Sequence, residues 1–453
     1  MRDLIKKLDS SIVEDSTLGP ELFAELRTAQ HELGLLQGNR ATCPFLRPHI
    51  LQRVQYETVN RAAETLAGAF EKIAAAALTD DALLDLLDLT PAEEEVARIE
   101  PRYSRLCVSS RLDGLISAGG FQFLEYNAET PAGVGDQMQL EKVLFRLPAL
   151  KKFLAGNSHW LPQPHRALLA SLLKAYREWG GEEDKPRIAI VDWAGVPTGS
   201  EFQILKDYFV AQGHPAVIAD PHDLEYNGDY LSVAGSRIDI VYKRVVIHEF
   251  LGRFGLNHPL VEAYRRGRVC MANSFRTKLA HKKSTFAVLS DAAYAHLFDA
   301  GELDAIRKHI PWTRYVSPSR TEFHGSEFDL ETLILGEQER FVLKPNDDYG
   351  GHGVFLGWES SRQEWQDAVK AALHRPYVVQ ERVVVEKTQF PAYADRAYLD
   401  ELFIDYNPFL FQNEAEGALI RLSASSLLNV TSGGGQTALL VLEDEYPQIT
   451  QID

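Results

Sequence analysis

The sequence predicts a mixed α/β fold with a helical N-terminal region, a small α/β domain in the middle and mixed α+β lobes at the C-terminal end. Three observations predict it. The first hundred residues carry apolar side chains at helical spacing, residues 187–192 form a short apolar run, and residues 273–453 mix helices with strands. A chain of 453 residues suggests about three domains, at roughly 150 residues each.

Residues 1–100 are predicted to be a helical region. Residues 18–36 and 62–78 are rich in Ala, Leu and Glu and place apolar residues at a helical period. Residues 80–89 predict another short helix, which the step from Thr90 to Pro91 should end, because a proline disfavours helical geometry in the residue before it.

Residues 101–185 form the second predicted region. Residues 106–109 and 121–127 are expected to be strands joined by a turn at residues 117–120. A proline-containing loop at residues 157–165 then leads into a helix that ends at Trp179, since two glycines follow it.

Residues 186–272 are predicted to be a small, mostly parallel α/β domain. The run RIAIVD at residues 187–192 is typical of a strand covered on both faces. A helix at residues 201–212 and strands at 217–219 and 238–242 complete the alternating order.

Residues 273–453 form the last predicted region. Its expected strands include residues 340–344, 377–385, 402–406 and 418–423.

Composition excludes several classes of protein. A formal net charge of −17 argues against a non-specific nucleic-acid binder, which needs a basic face. The three cysteines are far apart, so neither a disulfide framework nor a zinc site is indicated. No apolar signal core begins the chain and no run of about 20 apolar residues could span a membrane. We therefore expect a cytoplasmic protein without a membrane partner.

A polar, glycine-rich turn at residues 346–353 (NDDYGGHG) follows a predicted strand that ends at Lys344. Glycines allow a backbone to approach phosphate closely and to point N–H groups at it. The lysine supplies positive charge, and aspartates can hold magnesium. The three glycines are Gly350, Gly351 and Gly353.

The turn matches neither common nucleotide motif. No G-x-x-x-x-G-K-[ST] occurs, and the turn joins strand to strand rather than strand to helix. Alone it is equally compatible with an ordinary glycine-rich hairpin. Its neighbours favour phosphate binding: Lys283 upstream, the strand from residue 377 downstream, then Arg421 and the stretch NVTSGGG at residues 429–435.

A second group of polar residues lies far upstream, in LEYNAETPAG at residues 124–133. Glu125 and Asn127 are two apart on a predicted strand, so their side chains share one face. Two oxygen donors on one face suit magnesium, although a solvated strand face is the alternative.

In this order the motifs resemble the ATP-grasp superfamily, with a first lysine, a second lysine before a glycine-rich flap, an adenine-side strand and a polar C-terminal strand pair. LEYNAETPAG resembles the metal motif of eukaryotic-type glutathione synthetases and glutathionylspermidine synthetases. The likeness extends to circularly permuted ATP-grasp proteins, in which the metal motif precedes the α/β domain, as it does here. The shared stretches are DIVYKRV, ANSFRTKLAHKK, VLKPNDDYGGHG, VVQERV and NVTSGGG.

The resemblance implies a nucleotide site between two α+β lobes. Lys283 and Lys344 would contact the phosphates of ATP. Asn429 and the three glycines after it could close over the phosphates or merely form a turn. Residues on the adenine side would be Gln380, Glu381 and the backbone near Val383. The Mg2+ ligands would be Glu125, Asn127 and Asp348.

The resemblance also implies arginines for the substrate. Arg111 matches the arginine that binds the substrate carboxylate in the related synthetases. Arg244 could bind a carboxylate or form a surface ion pair. Arg421 corresponds to an arginine near the C-terminus of those enzymes, with Ser423 standing where they have a lysine.

These features predict an ATP-dependent carboxylate–amine ligase that forms an amide through an acylphosphate and releases ADP and phosphate. The alternatives are a catalytically silent ATP-binding scaffold and a phosphotransferase on the same fold. The partners would be a small-molecule or peptide carboxylate and an amine, whose identities the sequence does not reveal, because variable loops build such pockets. The oligomeric state stays open, with a homo-oligomer as one alternative.

Overall fold

The computed structural model describes residues 1–117, 120–426 and 434–443. Helices and several sheets alternate along the chain, which confirms the predicted mixed α/β fold class. No helix within these ranges is both long enough and apolar enough to cross a lipid bilayer.

The α-helices are α1 (Arg2–Val13), α2 (Pro20–Glu32), α3 (Arg53–Ala77), α4 (Asp81–Leu87), α5 (Pro91–Ala97), α6 (Gln137–Leu144), α7 (Pro148–Gly156), α8 (Pro164–Trp179), α9 (Gly199–Ala211), α10 (Ile247–Phe254), α11 (Pro259–Arg265), α12 (Lys278–His281), α13 (Ser284–Ser290), α14 (Ala300–His309), α15 (Leu330–Gly336) and α16 (Arg362–Ala372).

The β-strands are β1 (Leu36–Gln37), β2 (Arg40–Ala41), β3 (His49–Gln52), β4 (Ser109–Ser117), β5 (Gly120–Asn127), β6 (His159–Trp160), β7 (Ile188–Val191), β8 (Ala216–Ala219), β9 (Leu224–Tyr226), β10 (Leu231–Val233), β11 (Ser236–Arg237), β12 (Ile240–Lys243), β13 (Cys270–Ala272), β14 (Thr313–Tyr315), β15 (Arg320–Phe323), β16 (Ser326–Asp329), β17 (Phe341–Pro345), β18 (Phe355–Leu356), β19 (Tyr377–Glu381), β20 (Thr388–Tyr393), β21 (Ala397–Phe411), β22 (Glu414–Ser423), β23 (Gly435–Thr437) and β24 (Leu439–Leu442).

The N-terminal hundred residues are mainly helical, as predicted, and α3 is their longest element. It begins nine residues before the predicted start, because Gln52 and Gln55 form a capping box there. The step from Thr90 to Pro91 follows one helix and begins another. Thr90 caps the first turn of α5, a helix that the sequence prediction missed, and Pro91 occupies its first position.

A large sheet with the strand order β23-β22-β21-β4-β5 carries the predicted metal motif, and β20 pairs with β21 beside it. The strand predicted at residues 106–109 is wrong, since the strand begins at Ser109 and runs to Ser117. The backbone N–H groups of Val108 and Ser109 donate to the Asn273 side chain, and the Val108 carbonyl accepts from the backbone N–H of Gln412, which directly follows β21.

The predicted parallel strands form one sheet, in the order β13-β12-β7-β8, and each pairing is parallel. The strands of a parallel sheet share one carboxyl edge, where polar groups converge. Asp192 follows β7 and Arg244 follows β12, so these two residues leave the sheet at the same edge.

The glycine-rich turn belongs to a third sheet, with the order β14-β19-β17-β18. It joins β17 to β18, which pair antiparallel, as expected of a flap between two strands. The strand predicted at residues 377–385 ends earlier, at Glu381.

Strand β24 joins the two ends of the chain, because it pairs in parallel with β3 and antiparallel with β6. Strands from three of the four regions proposed from the sequence, residues 1–100, 101–185 and 273–453, therefore pair with one another, whereas the described strands of residues 186–272 pair only among themselves. The boundaries of the four regions stay a prediction.

Candidate active site

A cavity of about 700 Å³ is lined by residues of the large sheet and of the sheet that carries the flap, by residues that follow β7 and β12, and by the first residues of α9. Most of the predicted site residues line it: Arg111, Glu125, Asn127, Arg244, Lys283, Lys344, Asp348, Gly350, Gly351, Gln380, Glu381, Val383 and Arg421. Gly353 is not among the lining residues. Asn429 lies outside the described residues. The fold therefore gathers side chains that are up to about three hundred positions apart in the sequence.

The three flap glycines have φ values of +70°, +79° and +67° at Gly350, Gly351 and Gly353. Side chains rarely adopt this left-handed region, so the flap conformation requires glycine. A Cβ at Gly353 would also lie 2.8 Å from Pro345 Cγ and 2.9 Å from the Tyr377 hydroxyl. Gly353 thus allows the flap to pack on its own sheet, which is a different role from the predicted phosphate contact.

Two lysines and one carboxylate meet beneath the flap. Lys283 Nζ lies 2.9 Å from Glu125 Oε1 and donates to the Asp348 carbonyl at 2.6 Å. Lys344 Nζ donates to Gln380 Oε1 at 2.7 Å and to the Leu124 carbonyl at 3.2 Å. Burial lowers the pKa of Lys344 to about 8, although Glu125 opposes the shift. A phosphate bound here would favour the charged form further.

The present contacts of the predicted metal ligands bear on whether these residues could bind a metal ion. Burial disfavours the charged form of Glu125, but Lys283 and Lys344 together lower the pKa of that carboxyl below its ordinary value. Lys283 also contacts the Asp348 backbone, so the structure already places one positive group between two predicted ligands. Carboxylate and amide oxygens are the donors that magnesium prefers. The residues present therefore fit a magnesium ion.

The sequence prediction missed Asp113, which connects two of the predicted arginines. Arg111 forms a two-point ion pair with its carboxylate, at 2.6 and 3.0 Å. Arg421 Nη2 lies 2.8 Å from the same carboxylate and 2.6 Å from Asp405. Burial opposes ionisation of Asp113, but the two arginines lower its pKa to about 2. Arg111 is therefore oriented by Asp113 and by a hydrogen bond to the Ala132 carbonyl before any substrate arrives.

A pattern in the sequence could have revealed Asp113. It lies two residues after Arg111, just as Asn127 lies two after Glu125, and the strands pair so that Asp113 faces Glu125. The strand predicted at residues 106–109 ended before Asp113, which concealed this pairing. Asn127 Nδ2 donates to Asp113 Oδ1 at 3.0 Å, which fixes the amide of a predicted metal ligand.

Arg244 is only 5% exposed, so the surface ion pair considered as its alternative is wrong. Its Nη1 donates to the Pro131 carbonyl and to the Tyr242 hydroxyl, and its Nη2 lies 3.9 Å from Glu201. A buried guanidinium that lines a cavity fits the predicted carboxylate contact.

The residues predicted to face adenine have protein partners. Gln380 positions Lys344 and donates to Thr313 Oγ1 at 3.1 Å. The Glu381 carboxylate contacts Arg340 and His324, each at 2.9 Å. Apolar lining that suits a base comes instead from residues that the prediction did not name, Val342, Leu356 and Trp358.

The base of the flap is held by a buried cluster that we name the flap anchor: Glu93, Glu129, Lys278, Lys282 and Asp347. The Asp347 carboxylate accepts from Lys278 at 2.7 Å and from Lys282 at 2.8 Å. Lys278 also lies 2.9 Å from Glu129 and 3.4 Å from Glu93. The flap is therefore tied to α5, to the end of the metal motif and to α12.

One part of the flap anchor has metal-ligand spacing. Ligand atoms of Glu129, His281 and Asp347 lie within 4.8 Å of one another. Lys278 and Lys282 already contact these carboxylates, which neutralises their charge without a metal. Burial opposes ionisation of Asp347, yet the two lysines lower its pKa below the ordinary value of 3.8. We interpret this group as structural, distinct from the metal set at Glu125.

Comparison with known proteins yields one family match and several distant relatives. A family model described as a circularly permuted ATPgrasp matches residues 113–380, more than half of the chain. A putative glutamate–cysteine ligase from Frankia casuarinae is 25% identical over 338 residues, which are 70% of this chain and 36% of that protein. The chain thus spans about a third of the length of that relative.

Two further proteins are similar. An uncharacterized protein from Synechocystis is 22% identical over 345 residues, covering 72% of this chain and 67% of that protein. The structure of a glutathione synthetase-like effector from Globodera pallida, in apo form, has a TM-score of 0.59 at 12% identity. It covers 93% of this chain and 96% of its own, and this likeness concerns the fold alone.

Proposed function

Since the chain belongs to the circularly permuted ATP-grasp family, we propose that it is an ATP-dependent ligase that joins a carboxylate to an amine. One observation carries the proposal. Lys283 and Lys344 meet around the Glu125 carboxylate, beneath a flap whose glycines have positive φ. Cationic groups beside a carboxylate, under a glycine-rich flap, are suited to a magnesium-bound triphosphate.

In the proposed complex, Lys283 and Lys344 neutralise phosphate oxygens, and Glu125, Asn127 and Asp348 hold Mg2+. The ion, when bound, reduces the phosphate charge that repels an incoming carboxylate. Lys283 exchanges its present contact with Glu125 for a phosphate oxygen. The low pKa of Lys344, about 8, rises as a phosphate approaches, because the anion favours the charged ammonium.

The proposed reaction has two steps. A carboxylate oxygen of the substrate attacks the γ-phosphorus of ATP, the bond to the β–γ bridging oxygen breaks, and ADP leaves with that electron pair. The amine nitrogen then attacks the acyl carbon, phosphate leaves, and the nitrogen loses a proton as the amide forms. The chain itself supplies no nucleophile. Its part is to orient the substrates and to keep water from the acylphosphate under the flap.

The arginines orient the substrate in this proposal. Asp113 and Asp405 hold Arg111 and Arg421 in place, so their remaining N–H groups have fixed directions. A name among the relatives, putative glutamate–cysteine ligase, supports amide formation between amino acids in the family, and we propose the same class of reaction here.

Product analysis tests the proposal. The protein is incubated with ATP, magnesium and pools of carboxylic acids and amines, and nucleotides and new masses are measured. ADP, phosphate and an amide are expected. AMP with pyrophosphate would overturn the mechanism, a phosphorylated substrate would indicate a phosphotransferase, and an absence of nucleotide binding would indicate a scaffold.

A matched pair of variants locates the activity. Lys344→Met should lower affinity for an ATP analogue at least tenfold, because it removes a charge-assisted hydrogen bond of about 1.5–3 kcal/mol. Lys370→Met is the control, since Lys370 is exposed on α16 and does not line the cavity. Equal affinities of the two variants would contradict the assignment.

A further inference from the structure

The cavity extends beyond the phosphate-binding lysines to a group of charged residues that the nucleotide does not use. We name this group the zwitterion pocket and define it by Asp136, Asp192, Glu201 and Arg244, all of which line the cavity. Arg244 Nη2 lies 3.9 Å from Glu201 Oε2. The positive charge of Arg244 favours the ionised form of Asp192, and the negative charge of Glu201 disfavours the ionised form of Asp136. The four side chains thus form one connected group.

The zwitterion pocket has more negative than positive groups. Its three carboxylates have one guanidinium as their cationic partner within the pocket. Glu201 accepts from the backbone N–H of Gly133 at 2.9 Å, and Asp136 accepts from the neutral amide of Gln436 at 2.7 Å. Burial and then the nearby Glu201 raise the pKa of Asp136 to about 7. A bound cation would relieve this repulsion.

Arg244, by contrast, would be stabilised by a bound anion. Its Nε is buried and has no hydrogen-bond partner among the described residues, although its Nη atoms contact Pro131, Tyr242 and Glu201. An unpaired guanidinium N–H that is 95% or more buried is costly, and an anionic acceptor would satisfy it. This donor is independent of the carboxylates and it too lines the cavity.

We propose that the zwitterion pocket binds the ammonium and the carboxylate of an amino acid, with Asp136 and Glu201 receiving the ammonium and Arg244 the carboxylate. This inference rests on the proposed ligase function and names the substrate class of that site. An amino acid carries both charges a few bonds apart, which matches a guanidinium that lies within 4 Å of one of the carboxylates. A simple carboxylic acid would leave the acidic side unpaired, and a simple amine would leave Arg244 Nε unpaired.

Calorimetric titration tests the inference on the full chain, with and without a non-hydrolysable ATP analogue and magnesium. The probes are the common L-amino acids, and for each that binds, its N-acetyl and its carboxamide derivative. We expect at least one amino acid to bind, and each derivative to bind at least tenfold more weakly, because one of the two charges has been removed. Equal binding of a derivative, or no amino-acid binding when the analogue binds normally, would overturn the inference.

Two variants assign the residues. Asp136→Asn keeps the shape and the contact to Gln436 but removes the charge, so it should weaken amino-acid binding at least tenfold and leave the analogue affinity within twofold. Arg244→Lys should weaken binding of the free amino acid and reduce the difference between it and its carboxamide. The control is Asp207→Asn, since Asp207 is exposed on α9 and does not line the cavity. Unchanged amino-acid binding in Asp136→Asn would contradict the assignment.

The two proposals fail in different ways. If the ATP analogue does not bind, or if Lys344→Met does not change its binding, the ligase function is wrong. If the analogue binds and Lys344→Met weakens it, while no free amino acid is preferred over its derivatives, only the zwitterion pocket is wrong.

Discussion

Replacing Asp347 with asparagine should destabilise the folded protein, although Asp347 is not among the residues that we propose to contact the nucleotide. The Asp347 carboxylate accepts two charge-assisted hydrogen bonds, at 2.7 Å from Lys278 and 2.8 Å from Lys282. These lysine side chains are 0% and 3% exposed, so water cannot replace the lost partner. Breaking a buried pair on one side typically costs about 3–5 kcal/mol. Because Glu93 and Glu129 remain near Lys278, we expect the lower end, about 3 kcal/mol.

Urea unfolding, followed by intrinsic fluorescence, measures this loss as a lower transition midpoint. The adjacent residue provides the control, because Asp348 is 38% exposed and its carboxylate accepts from the Tyr349 N–H. Asp348→Asn should therefore change stability by less than about 1 kcal/mol. If Asp347→Asn and Asp348→Asn unfold at the same urea concentration at pH 7, the structural role of the flap anchor is refuted.

The pH dependence gives a second readout of the same prediction. The lysines lower the pKa of Asp347 in the folded protein below the ordinary 3.8, so the unfolded chain binds its proton first as the pH falls. The stabilisation by Asp347 is therefore present above about pH 4 and is lost as the pH falls below that value. The difference between the unvaried protein and Asp347→Asn should shrink over this range.

Two further predictions concern the metal and the flap. Glu125→Gln should raise the magnesium concentration needed for half-maximal ADP release at least tenfold, since it removes a carboxylate ligand. It should not weaken analogue binding in EDTA, because it also frees Lys283 from its ion pair; a normal magnesium requirement would exclude Glu125 as a ligand. Tyr349→Phe removes the 2.6 Å hydrogen bond from the flap to Glu249 on α10, so limited proteolysis should cleave the flap several times faster, and an unchanged rate would show that this contact does not hold it.

Much of the site was predictable because its signals are local. The alternation of strand side chains placed Glu125 and Asn127 on one face, and the apolar run RIAIVD predicted a buried parallel strand. The flap was predicted between two strands, and its glycines do have positive φ. These features depend on residues a few positions apart, which a sequence displays directly.

The remaining features depend on pairing between distant segments. Asp113 was missed because the predicted strand ended at residue 109, before Asp113, whereas β4 runs to Ser117 and places Asp113 opposite Glu125. Arg244 was placed as readily on the surface as in the site, since its burial results from how β12 packs against the loop at Pro131. Gln380 and Glu381, which were predicted to contact adenine, also bind protein side chains, because Lys344 and Arg340 lie close to them. The adenine contact stays a prediction.

The sequence by itself determined the fold class and the position of the glycine-rich flap, because these follow from the chemistry and spacing of neighbouring residues. The full sets of phosphate and metal candidates came from the order of its motifs and their resemblance to ATP-grasp proteins. Only the tertiary structure decided which charges meet. It buried Lys278 against Glu93, Glu129 and Asp347 to anchor the flap, and it left Arg244 Nε, beside excess carboxylates, without a hydrogen-bond partner in the part of the chain that the structure describes. Which charged groups pair depends on the distance between them and on their burial. Both are properties of the packed chain and not of the order of residues in the sequence.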